Sequence, residues 1–184
     1  MYDLHSILIQ LKKEDTPLHG VMVRCVRCFY QWLDPTLWEG SALFELWAQE
    51  LELIYGDLRQ RLSPNAKTDA GSLGDRFGFD TPPELPRLLQ SIQTFYSVLI
   101  KLIAWNTLRG ATPEPPLTEL LSGRAFVNRG IRNFCGDDWY IWPLDIWDPA
   151  LETQCEELRA CLKSFDTCPE GSTLSPDSLS RIYE

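Results

Sequence analysis

The apolar residues recur every three or four positions along most of the chain, and no stretch alternates apolar and polar residues as a half-buried strand would. A first short helix is predicted to bury Leu4, Ile7, Leu8 and Leu11. A second helix is predicted from about Leu18 to Leu33, where Asp34-Pro35 should end it, because proline disfavours helical backbone in the residue before it. A third helix is predicted after a Ser41 cap, with one face formed by Leu43, Trp47, Leu51, Ile54 and Leu58.

The most apolar segment of the chain is residues 88–108. Apolar side chains cover almost its whole circumference, which is typical of a helix buried at the centre of a domain. Glycine and proline alternate with polar residues ahead of it, so residues 65–83 are predicted to form a long loop. The pattern therefore predicts an all-α protein, an irregular multi-helix bundle around a central apolar helix at about 88–108.

Shorter apolar pieces follow at residues 117–121, 124–135 and 139–143. Asp148-Pro149 then predicts a further helix, because a capping residue is followed by proline in the first turn. One face of that helix carries Leu151, Cys155, Leu158, Leu162 and Phe165. We therefore divide the chain into a helical domain, residues 1–167, and a linker with the start of a C-terminal helix, residues 168–184.

The chain has a net charge of −9 and a pI of about 4.7, whereas free-standing nucleic-acid binders are usually basic. Its N-terminus lacks the basic start and apolar block of a signal peptide. The longest nearly apolar run, Phe95 to Trp105, is too short to span a bilayer. We expect a cytoplasmic protein with reduced thiols and no membrane association.

Cys25-Val26-Arg27-Cys28 is the one motif that suggests a small zinc or dithiol protein. Zinc needs four ligands, and neither the other cysteines nor His5 and His19 supply a second close pair. Cysteines three apart on a helix also behave as small buried apolar residues, and this second interpretation is the one favoured here. No catalytic, cofactor-binding or metal-binding residue is predicted, so the chain is not expected to be an enzyme.

Four basic residues are candidate contacts to DNA or to a partner. Lys101 lies within the most apolar helix, where it should reach solvent, pair with an acid, or face a ligand or another domain. Arg129 and Arg132 are three residues apart and, with Arg124, could touch a phosphate backbone. The acidic pair at 137–138 could equally neutralise them.

Three segments, taken in order, resemble the helical region ahead of the methylase core in large bacterial N-6 adenine DNA methyltransferases of restriction–modification and phage-defence systems. They are LFELW at 43–47 with IYG at 54–56, QTFYSVLIKLIA at 93–104, and IRNF at 131–134 with DWYIWPLD at 138–145. The resemblance covers about residues 41–184. In such proteins a run like residues 179–184 leads into the methylase domain.

The resemblance implies an accessory domain that carries no transfer chemistry itself. The family's cofactor motif F-x-G-x-G and its catalytic motif N-P-P-[YF] do not occur in this sequence. We expect the chain to help dock the methylase core, another defence-system subunit or DNA, without a cofactor of its own. The alternative is a stand-alone helical adaptor that binds protein only, through aromatic residues such as Trp139, Trp142 and Trp147.

Overall fold

The structure is a computed structural model that describes residues 4–33, 44–50, 73–108, 112–135 and 140–165. The protein is all-α, as predicted, and these residues contain no strand. The labelled helices are α1 (Leu4–Lys12), α2 (Pro17–Trp32), α3 (Leu85–Leu108), α4 (Leu117–Leu121), α5 (Arg124–Val127) and α6 (Pro149–Lys163), with a 3-10 turn at Trp142–Leu144. The predicted linker and C-terminal helix at 168–184 lie outside the described residues.

Helix α2 begins and ends close to its predicted bounds. The Thr16 side chain caps its start by accepting a hydrogen bond from the His19 backbone N–H at 3.2 Å, and Pro17 occupies the first turn. At its other end the Leu33 backbone N–H donates to the Phe29 carbonyl at 3.0 Å. The fully buried face of this helix includes Leu18, Val26 and Phe29.

Helix α3 is the predicted central helix and begins three residues earlier, at Leu85. Pro86 falls in its first turn, where a missing backbone N–H costs no internal hydrogen bond. Helices α2, α4 and α6 all pack against it, and α2 and α6 also pack against each other. By length and composition alone α3 could cross a membrane, but 72% of its most apolar stretch is buried inside the protein, as in a core helix.

Helix α6 confirms the prediction made from Asp148-Pro149. The Asp148 Oδ1 accepts a hydrogen bond from the Leu151 backbone N–H at 2.8 Å, which is the expected N-cap. All five residues predicted on its apolar face are buried: Leu151, Cys155, Leu158, Leu162 and Phe165. On its polar side, Glu157 accepts a hydrogen bond from Arg24 of α2 at 2.8 Å.

The predicted loop at 65–83 is wrong for residues 73–76, which form a helical turn. Leu73 and Phe77 are four apart and both pack on the core, so tertiary packing prevails over the glycine-rich composition. Phe79 lies edge-on to Tyr30 of α2, with ring centroids 4.8 Å apart. The third predicted helix is confirmed at residues 44–50, and the rest of it lies outside the described residues.

The 3-10 turn is held to the central helix by a buried tryptophan. Trp142 is fully buried, and its indole N–H donates to the Thr94 Oγ1 of α3 at 2.9 Å. Its ring also lies edge-on to Phe29 of α2, at 5.9 Å between centroids. Next to it, the Tyr140 hydroxyl donates to the Gln93 Oε1 at 2.7 Å.

Trp142→Phe should lower the free energy of unfolding by about 2–4 kcal/mol, because it leaves a cavity and removes the donor to Thr94. Urea denaturation with an unchanged m-value measures this loss. The matched control is Trp147→Phe at a half-buried position, for which a loss below about 1.5 kcal/mol is expected. Equal losses at the two positions would contradict the anchoring role of Trp142.

Candidate docking surface on the arginine loop

Three of the four predicted basic contacts belong to one compact loop, residues 123–135, which we call the arginine loop. Its sequence contains Arg124, Arg129 and Arg132 and no acidic residue, within a chain whose net charge is −9. Sequence reasoning treated residues 124–135 as one apolar piece, but only Arg124–Val127 is helical. The remainder is a series of turns that brings the two ends of the loop together.

The ends of the arginine loop meet at Gly123. This residue has a φ of +79°, and a Cβ atom at its position would lie only 1.9 Å from the Phe134 carbonyl oxygen. Glycine is therefore required here both for the left-handed backbone and for the close approach of the two backbone segments. A loop of this length whose ends touch and whose own side chains fill its interior has the form of an Ω-loop.

The interior of the arginine loop is filled by Phe126, which is fully buried. Its ring centroid lies 4.6 Å from that of Phe134 and 5.8 Å from that of Trp105 on α3. The Phe126 carbonyl accepts hydrogen bonds from the backbone N–H groups of Arg129 at 2.9 Å and Ile131 at 3.2 Å. The edge-on contact with Trp105 ties the loop to the central helix, and the turn hydrogen bonds hold the loop's own shape.

Arg129 fastens the outer part of the loop to the end of α3. Its Nη1 donates to the Leu108 carbonyl at 2.6 Å, and its Nη2 donates to the Thr112 hydroxyl. The guanidinium also lies over the Trp105 ring, 5.8 Å from the centroid. Arg129 therefore satisfies a carbonyl at the helix C-terminus and holds the loop in place, although its side chain is still exposed.

Arg124 and Arg132 are both exposed on the loop. The Arg124 Nε donates to the neighbouring Ser122 hydroxyl at 3.2 Å. The Arg132 carbonyl accepts a hydrogen bond from the Cys135 N–H at 2.9 Å, closing the last turn. The acidic pair at 137–138 that was weighed against these arginines lies outside the described residues.

Lys101, the fourth predicted basic contact, is not part of this surface. It is 3% exposed, and its Nζ donates to the Leu121 carbonyl at 2.8 Å. The prediction that it reaches solvent is therefore wrong, and the hydrogen bond to a backbone carbonyl is a role that was not among those considered from the sequence. A small cavity of about 10 Å³ adjoins it, between α3 and residues 140–144, and has room for about one water molecule.

The three candidate docking aromatics do not form a surface cluster in the described residues. Trp142 is buried and hydrogen-bonded to Thr94, so it packs within the core and is not available to a partner. Trp147 is half-buried and packs against the same core. Trp139 lies outside the described residues.

The Cys25 and Cys28 thiols belong to the interface of α2 with α6. Cys25 is buried, and its thiol donates to the Gln154 carbonyl at 3.5 Å. Burial raises the pKa of Cys25 well above its ordinary value and raises that of Cys28 to about 11, so both stay protonated at neutral pH. Within the described ranges no three histidine, cysteine, aspartate or glutamate side chains are grouped to hold a metal ion.

Sequence reasoning identified the three arginines but missed the residues that position them: Gly123, Phe126, Phe134 and Thr112. The two glycines of the loop, at 123 and 130, were a usable signal in the sequence, because glycine readily adopts a positive φ. Both have a positive φ in the structure. Comparisons of the chain with protein-family models, with the curated proteins and with the solved structures find no match.

Gly123→Ala should destabilise the protein by about 2–4 kcal/mol, since the added Cβ meets the Phe134 carbonyl and the backbone is left-handed. The matched control is Gly130→Ala, which has a similar φ of +76° but no atom within 4 Å of the added Cβ. That change should cost only about 1–2 kcal/mol. Urea denaturation of both variants compares them, and equal costs would argue against a closed loop neck.

Alkylation by iodoacetamide should label Cys28 about 100-fold more slowly at pH 8 than an ordinary thiol, because only the thiolate reacts and its pKa is raised from 9.0 to about 11. The alkylation rate of Cys28 should keep rising about tenfold per pH unit up to about pH 11, whereas the alkylation rate of an ordinary thiol levels off near pH 9. Mass spectrometry of timed samples measures it, with the urea-unfolded chain as the control. Rapid labelling of the folded protein at pH 8 would instead support the hypothesis that Cys25 and Cys28 are a reactive dithiol.

Proposed function

We propose that the chain is a non-catalytic helical accessory domain of an adenine-specific DNA methyltransferase-like restriction or phage-defence protein. In this role it helps to dock the methylase core, a partner subunit or DNA, and the methyl-transfer chemistry belongs to the methylase core. Cytoplasmic location and a bacterial source are parts of the same proposal.

The observation that carries the proposal is the contact between two segments of the methyltransferase resemblance. The segment at 93–104 lies within α3, and the segment at 138–145 includes the 3-10 turn that packs on it. Their side chains are joined by the hydrogen bonds Tyr140 to Gln93 and Trp142 to Thr94. Residues that carry the resemblance thus also pack against each other, which supports the proposal of a common scaffold.

A second candidate function is a stand-alone helical adaptor that binds protein only. It is favoured by the net charge of −9, which opposes DNA, and by two apolar residues exposed beside Arg129, namely Leu108 and Val127. The two candidates share a docking role and differ in whether a methylase is the partner.

The test begins with the gene and ends with methylated DNA. Under the proposal, the same reading frame or an adjacent gene encodes F-x-G-x-G and N-P-P-[YF]. Deleting the segment that encodes this chain should then abolish N-6-methyladenine at specific sites, as measured by mass spectrometry of digested genomic DNA. Supplying the wild-type segment should restore it, and supplying Gly123→Ala at a permissive temperature should restore it partly.

Two results would contradict the proposal. One is the lack of both methylase motifs in the gene and its neighbours, which leaves the adaptor as the leading candidate. The other is unchanged N-6-methyladenine after deletion of the segment, which removes the chain from the methylation pathway even if a methylase gene lies nearby.

A further inference from the structure

We propose that the arginine loop is a docking surface for an acidic amphipathic helix of a partner protein. The inference rests on the proposed function only for the docking role, which the adaptor alternative shares. It adds the place of the surface and the chemistry of its partner.

Charge is the first argument. The loop carries three arginines and no acid, whereas the whole chain has 26 acidic and 17 basic residues. A local positive surface on an acidic protein attracts a short acidic segment that reaches the loop alone. A polyanion such as duplex DNA carries a charge about every 1.7 Å along its axis, so its long phosphate array would also meet the acidic remainder of the chain.

Apolar exposure is the second argument. Val127 in α5 is 42% exposed, and Leu108 at the end of α3 is 36% exposed. Arg129 links the two segments that carry them, since it is two residues from Val127 and donates to the Leu108 carbonyl at 2.6 Å. A phosphate backbone gains little from apolar side chains, whereas the apolar stripe of an amphipathic helix is buried by them.

What separates this place from the other exposed apolar residues is its setting. Ile9, Leu46 and Tyr96 are also exposed, and single apolar residues on a surface need no explanation. Val127 differs in lying within the arginine loop itself, where three arginines fall between positions 124 and 132 with no acid among them. Arginine is enriched at protein–protein interfaces, and an exposed apolar side chain close to it adds apolar area that a partner can bury.

Preorganisation is the third argument. The loop neck is closed at Gly123 against Phe134, its interior is filled by Phe126, and Arg129 is already bonded to Leu108 and Thr112. A surface that is ordered before binding loses little conformational entropy when a partner docks. Arg129 thus acts as a positioning residue, while Arg124 and Arg132 are the groups that meet the carboxylates of the partner.

The experiment uses the full chain and a displayed library of helical peptides of about 18 residues. Both pools of the library carry the same apolar stripe at i, i+4 and i+7, flanked in one pool by Asp and Glu and in the other by Lys and Arg. The chain should enrich the acidic pool about tenfold or more over the basic pool. The best selected peptide is then synthesised with a fluorescent label, and its Kd is measured by anisotropy.

Three variants of the chain test the surface itself. The double variant R124E/R132E should weaken binding of the selected peptide about tenfold or more and should shift enrichment to the Lys- and Arg-flanked pool. V127D should weaken binding about fivefold, because it replaces an exposed apolar side chain with a carboxylate that repels the acidic flanks of the peptide. R76E is the matched control, as Arg76 is exposed on the turn at 73–76, and its effect should be under about twofold.

The results that would overturn the inference are distinct. Equal enrichment of the two pools, or a Kd that R124E/R132E leaves unchanged, removes the loop as the docking surface. Binding of a duplex DNA more tightly than the selected peptide, lost in R124E/R132E but retained in V127D, makes it a phosphate surface instead. No step uses a methylase, so a negative result here leaves the methylation test standing, and the reverse also holds.

Discussion

The structure depends on enclosing one helix, α3, that is apolar on almost every side. Such a helix must be covered, and the few polar groups that it carries inward must find partners. Two of them do so on the segment that follows: Lys101 donates to the Leu121 carbonyl, and Thr94 accepts from Trp142. The end of the helix adds a third connection, because its Leu108 carbonyl accepts from Arg129. The chain from 121 to 142 is therefore held to α3 at its beginning, middle and end.

These hydrogen bonds to α3 fix the shape of the arginine loop. Lys101 and Trp142 fix the chain on either side of it, and Arg129 holds its outer part, while the Phe126 ring lies edge-on to Trp105 beneath. Arg124 and Arg132 thus lie on a loop that is held in place by its contacts with the core. This is the physical link between burial of the central helix and the docking role that we propose, since an ordered surface pays a smaller entropic cost on binding.

Much of the fold follows from local pattern. The helical period and the cap at Asp148 act over a few residues, and each predicted an element that the structure contains. The second helix also ends at Trp32, one residue from its predicted end, while Asp34-Pro35 lies outside the described residues. The candidate site was harder, because it is made by contacts between distant residues. The apolar pattern around Lys101 showed that its helix is buried but not that a carbonyl twenty positions away accepts its hydrogen bond. Trp142 was a candidate docking residue under the adaptor alternative, since nothing in its local sequence identifies Thr94 as its partner. The meeting of Gly123 with Phe134 is likewise invisible to any short window.

The central claim is that the arginine loop is ordered in the unbound chain, and backbone ¹⁵N relaxation tests it most directly. Order parameters for residues 124–132 should be close to those of α3, at about 0.85, because a buried edge-on aromatic contact and the Arg129 hydrogen bond tie the loop to that helix. Values below about 0.6 across residues 126–131 would contradict the account, since the loop would then be mobile on the nanosecond timescale and its arginines would not be preorganised.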